Sequence, residues 1–212
     1  MIVSGRTEQA LDAVYEVFSD ARKPSEVSGC PCCMVEISPC TLLATPLREL
    51  TAETLEVYAA NVLLTVGGPD DFRYFLPRLL DISIHDGFDW PDPEVLFEKL
   101  HLAEWQLWPE DERLPIQNLL TSVFEDAVAS AVGGSGTWDA WEIDTWICAI
   151  AATHLPISPF LRRLSEPQFA ELRQAIEAKN QPALNKGRLS NSFWSINPSA
   201  MAEMLAWLGS DG

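Results

Sequence analysis

Four of the chain's five cysteines fall within eleven residues, as Cys30-Pro31-Cys32-Cys33 and Cys40, while the fifth, Cys148, stands in an apolar stretch. Thiols this crowded support three kinds of chemistry. Cys30 and Cys33 form a C-x-x-C pair, a spacing that lets one turn aim two sulfurs at a zinc ion, which takes four nitrogen or sulfur ligands in a tetrahedron. Cys40 is the candidate third ligand, and Cys32, His85, His101 or Cys148 are open as the fourth. No second C-x-x-C or C-x-x-H completes the signature. The same residues also spell a Cys-Pro-x-Cys redox pair. Such a pair normally opens a helix after a buried strand, whereas the residues before Cys30 are polar and turn-forming. The third alternative is packing, since a reduced cysteine behaves as a small apolar side chain.

Aromatic rings and carboxylates give a second set of candidates. Trp138 and Trp141 share a segment with Asp139, Glu142 and Asp144. Rings ringed by acids could hold a cation through cation–π contact or anchor a protein partner. The plainer role is to fill gaps between helices, with each indole N–H on a nearby acceptor. Asp86, Asp89 and Asp92 recur at a spacing of three. A calcium loop wants acids at alternate positions, so this stretch reads as a solvated loop ending in a helix cap. Asp86 and Asp89 join the partner-binding candidates. No H-E-x-x-H, phosphate loop or dinucleotide glycine fingerprint occurs. Gly133-Gly134-Ser135-Gly136 lacks the preceding strand of a nucleophile elbow. With His85, His101 and His154 far apart in sequence, nothing nominates a catalytic residue, and the expectation is a protein without enzymatic activity.

Charge narrows the class of partner. The net charge is −17, and residues 51–150 carry −15 of it, whereas residues 151–212 are net +1. A surface of that sign repels phosphates and anionic lipid, which argues against nucleic acid and membrane surfaces, and it attracts a basic protein. No apolar run reaches the 18 or so residues of a membrane helix, and the polar start has no apolar core of a signal peptide. A cytoplasmic location with reduced thiols is expected, and the odd cysteine count argues against a closed disulfide framework.

The elements that must position these residues are helices. Thr7 to Asp20 places Leu11, Val14, Tyr15 and Phe18 on one face. Thr51 caps a helix whose stripe runs from Leu55 through Tyr58, Ala59, Val62 and Leu63 to Val66, with Leu50 and Leu55 as a hydrophobic staple. Gly67-Gly68-Pro69 ends it, and the following helix contains Pro77, which should kink it or mark its true start. Asp92-Pro93, Pro109, Thr137, Ser158-Pro159, Ser165-Glu166-Pro167 and Asn197-Pro198 open further helices. The sum is one all-α domain over residues 1–212, with about nine helices as an irregular bundle or stacked helical hairpins. It carries a cysteine-rich loop at 29–46, a flexible link at 132–136 and an irregular stretch at 180–196. Val35-Glu36-Ile37 is the best candidate for extended structure.

Gly29-Cys30-Pro31-Cys32-Cys33, then Pro46-Leu47-Arg48-Glu49-Leu50-Thr51, then Asp71-Phe72-Arg73-Tyr74-Phe75-Leu76-Pro77-Arg78-Leu79-Leu80 follow one another along the chain. Over about residues 29–125 it resembles a group of uncharacterised bacterial helical proteins with a CPCC segment, an L-R-E-L-T helix start and a D-F-x-x-[FY]-L-P-R-[IL]-L helix. The resemblance implies a bacterial origin and a shared helical fold, and it carries over no activity. The function expected from charge and size is an acidic interaction protein, of the immunity or antitoxin kind, that binds a basic partner. Zinc binding at Cys30, Cys33 and Cys40 and thiol redox chemistry are the alternatives.

Overall fold

Ser4 opens the first helix, α1 (Gly5–Val17), by accepting a hydrogen bond from the Thr7 amide at 3.4 Å. The computed structural model describes residues 1–35, 37–132 and 140–209, without the side chains of Cys33 and Val132. The link at 133–136, the Thr137 cap, Trp138 and Asp139 therefore lie outside the described residues, as does Glu36. The fold is all-α. Among the described residues no strand forms, only isolated bridges that Val66 makes with Gly29 and Val62. Val35 stands in a turn and Ile37 is buried without strand pairing.

The cysteine segment holds two short helices, α2 (Pro31–Met34) and α3 (Pro39–Ala44). After a 3-10 turn at Leu47–Glu49, α4 (Ala52–Asn61) starts as expected: Thr51 Oγ1 accepts from the Thr54 amide at 3.2 Å, and Leu50 and Leu55 are both buried. It stops five residues short of Val66. The Asn61 carbonyl gathers the amides of Leu64, Thr65 and Val66, and Leu63 takes φ +66°. Val62 and Val66 are still buried, so the apolar stripe was real but its last turn is not helical.

Helix α5 (Pro69–His85) is continuous across Pro77 instead of beginning there. An interior proline costs ~3 kcal/mol or more. Phe72, Phe75 and Leu76 before it and Leu79, Leu80 and Ile82 after it continue one buried face, each side chain contributing about 1.5–3 kcal/mol. That burial outweighs the proline. The next helices are α6 (Pro93–Leu102), α7 (Glu110–Val132) and α8 (Ala140–Ala152), followed by α9 (Ser158–Leu164), α10 (Ala170–Leu184) and α11 (Pro198–Leu208). The stretch expected to be irregular from residue 180 is helical to Leu184, then turns and forms a 3-10 segment over Ser192–Ile196.

Helix α8 is the axis of the molecule. Almost all its residues are buried, and α6, α7, α10 and the Ser192–Ile196 segment pack on it. A helix apolar on all sides belongs in a core. On the far side of α7, α1 closes the packing and also touches α5. Thr7 Oγ1 donates to the Asp126 carboxylate of α7 at 2.6 Å, and the Ser4 amide reaches the same oxygen at 2.8 Å. No described helix is long and apolar enough to cross a membrane.

Candidate functional site

The cysteine segment is pinned by backbone. The Gly67 amide donates to the Ser28 carbonyl at 2.7 Å, and the Cys30 amide donates to Thr65 at 2.8 Å. Gly29 sits between these bonds, where a Cβ would meet the Thr65 carbonyl at 2.7 Å, so the close approach requires glycine. Pro31 then opens α2, and the Met34 amide returns to the Cys30 carbonyl at 3.1 Å. Cys30 is half-buried, while Cys32 and Cys40 are exposed. Buried Ile37 and Leu42 fasten the segment to the core.

Among the described residues, no three histidine, cysteine, aspartate or glutamate side chains stand where one metal ion could bind them. The fourth-ligand candidates have other company. His85 contacts Glu8 at 2.9 Å and the Asp81 carboxylate at 3.0 Å. His101 stacks on His154 with centroids 3.5 Å apart. Cys148 is buried in α8, where burial first, then the Glu94 and Asp144 carboxylates, push its thiol far up from its ordinary value.

Many of the acids of residues 51–150 are committed within the fold, and others face solvent. Glu94, Asp126 and Asp144 are buried, and Asp81, Glu112 and Glu125 are paired with Arg78, Arg73 and Arg163. Asp86, Asp89, Asp92, Glu104, Glu110 and Asp111 are exposed. Asp86 and Asp89 lie on the α5–α6 loop beside Trp90, which is 51% exposed. Trp141 is 68% exposed and carries Lys179 Nζ at 4.1 Å from its ring centre. Glu142, one residue on, pairs with the Met1 amine. Trp105, Trp146 and Trp194 fill the core.

A polar seam that no motif announced runs between α6, α8 and α10. Asp144, with no exposed surface, receives Lys179 Nζ at 2.7 Å and the Trp194 indole N–H at 3.3 Å. Glu94 Oε1 accepts from Asn191 Nδ2 at 2.7 Å, and Asn180 Oδ1 accepts from the Ser190 amide at 2.8 Å. Among the described residues no cation pairs with Glu94. Burial raises its carboxyl above the usual range even though Asn191 favours the charged form, and Asp92 and Asp144 push the same way as burial. These side chains fix where residues 188–195 lie. Elsewhere in the core, Lys99 is fully buried with no hydrogen-bond partner for Nζ among the described residues, and burial lowers its ammonium from the ordinary value. The one signal for such groups is register. Asp144 shares a helical face with Ala140, Ile147 and Ala151, and Lys99 shares one with Leu96 and Ala103.

The chain matches no protein-family model, no curated protein and no solved structure.

Proposed function

We propose that the protein is a non-enzymatic acidic docking protein for a basic protein partner, of the immunity or antitoxin kind. The observation that carries this is the α5–α6 loop. There, half-exposed Trp90 stands among Asp86, Asp89 and Asp92, and none of these three carboxylates pairs with a described residue. An aromatic anchor contributes most of the contact energy at an interface of this kind. Unpaired acids around it steer a cationic surface in and raise the association rate. The buried and paired acids take no part, which concentrates the docking surface on the exposed set.

The test uses basic proteins encoded beside its gene, with binding followed by interferometry at 50 and 500 mM salt. Binding at low salt, slowed on-rates in Asp86→Asn/Asp89→Asn, and faster release in Trp90→Ala support the reading. Absence of any low-salt binding, or unchanged kinetics in these variants, refutes it. A second reading is zinc held by Cys30, Cys33 and Cys40. It is favoured by the turn at the start of α2, where Cys30 precedes Pro31 and the Met34 amide returns to the Cys30 carbonyl at 3.1 Å. Elemental analysis showing no stoichiometric metal in the purified protein rejects it.

A further inference from the structure

Beyond α10 the chain turns at Gly187, φ +64°, and residues 188–192, 194 and 195 border a cleft of about 450 Å³ that Met201 of α11 also lines. That volume lies within the ~300–1,000 Å³ of small-molecule sites. In a chain of net −17, the only charged side chain in this lining is Arg188. Its guanidinium pairs with no described carboxylate.

The donors in the cleft can be counted from the hydrogen bonds. Ser190 Oγ and Ser195 Oγ are spent on the carbonyls of Lys179 and Ser192, at 2.9 and 2.8 Å. Asn191 gives one Nδ2 hydrogen to Glu94 and accepts the Phe193 amide at 3.0 Å, which fixes the orientation of its amide. Its second Nδ2 hydrogen, the Ser192 hydroxyl and the Arg188 fork remain uncommitted among the described residues. The carboxyls behind the loop are committed to other groups: Asp144 holds Lys179 Nζ and the Trp194 indole N–H, and Glu94 Oε1 accepts from Asn191.

We infer that this cleft binds a small organic oxyanion, whose charged head is held by Arg188, Ser192 and Asn191 and whose apolar body lies on Met201. An arginine fork beside neutral donors suits the planar or tetrahedral oxygens of a carboxylate or a phosphate monoester. The buried anchoring of Asn191 and Ser190 presents the site in its binding form, which lowers the ordering cost of capture.

Calorimetric titration at constant ionic strength tests the inference with inorganic phosphate, phenyl phosphate and benzoate. At least one of the two aromatic probes saturates at one site per chain, and phenyl phosphate binds more tightly than inorganic phosphate. The stronger aromatic probe identifies the head group. Arg188→Ala weakens binding about tenfold or more, as expected for charge-assisted bonds, and Ser192→Ala weakens it several-fold. Both positions are exposed, so the two variants read the same site independently of any change in folding. Arg162→Ala, which removes an exposed cation on α9, leaves binding unchanged. The inference is overturned if no probe saturates below about 10 mM, the weak end of specific recognition. It is also overturned if Arg188→Ala binds as the parent does, or if Arg162→Ala loses as much.

Discussion

Lys99→Met is expected to stabilise the protein. The lysine has no exposed surface, and its Nζ has no partner among the described residues, so the folded state holds a desolvated nitrogen that water solvates in the unfolded chain. Methionine keeps the unbranched stem and replaces the amine with a thioether that needs no hydrogen bond. An unsatisfied buried donor costs about 1–3 kcal/mol, and removing it returns that amount less any loss of packing. With a urea slope of about 2 kcal/mol/M, the midpoint moves up by roughly 0.5–1.5 M.

A pH signature separates this cause from generic hydrophobic gain. Burial lowers the Lys99 ammonium, so between its folded value and about 10.5 the unfolded chain binds a proton that the folded chain has shed. Parent stability therefore rises with pH through that window, by at most about 1.4 kcal/mol per unit from this group. In Lys99→Met that slope is absent, so the advantage of the variant shrinks as pH approaches 10. Urea melts at pH 7 and pH 10 measure both effects. A variant less stable than the parent at pH 7, or an advantage that grows with pH, refutes the reasoning.

Asp144→Asn keeps an acceptor for Trp194 but leaves Lys179 a buried charge without a counter-ion, so a loss of about 3–5 kcal/mol is expected in denaturant melts. Asp144→Asn/Lys179→Met recovers part of it. For His85, burial disfavours the charged ring, but hydrogen bonds and charge from Glu8 and Asp81 outweigh it and raise the folded value. Its contribution is then complete below about 6.5 and is lost as pH climbs through that raised value. His85→Gln accordingly costs more at pH 6 than at pH 8.5, by under about 1 kcal/mol for so exposed a site. Iodoacetamide mapping by mass spectrometry modifies Cys40 in the native protein, whereas Cys148, buried and with its thiol pushed up, is labelled only after unfolding.

Caps and apolar stripes made most helices legible, because both are local. Thr51, Pro93 and Pro198 each mark a real start, whereas Pro69, expected only to end the preceding helix, is the first residue of α5. Ends were harder. The same apolar spacing that builds α4 continues into a turn at Val62–Val66, and periodicity does not record that Leu63 leaves helical φ. Pro77 does not mark the start of α5, because the local cost of proline is visible in sequence and the burial that exceeds it is not. Site residues divided along the same line. Asp86 and Asp89 stand exposed, as a solvated loop should. The Asp144–Lys179 pair joins residues 35 apart and the Glu94–Asn191 bond joins residues 97 apart, so no spacing rule reaches them.

The docking of α1 on α7 bears on how the chain is made. Thr7 and Asp126 are 119 residues apart. At about 5–20 residues per second of synthesis, α1 leaves the ribosome roughly 6–24 s before its partner helix is complete. During that interval Leu11, Val14 and Phe18 have no α7 to cover them, and isolated helices of thirteen residues are marginal in water. The α1 segment is thus made well before the helix that secures it. That makes it a natural client for a nascent-chain chaperone and the place where slowed translation of residues 110–132 would most increase aggregation.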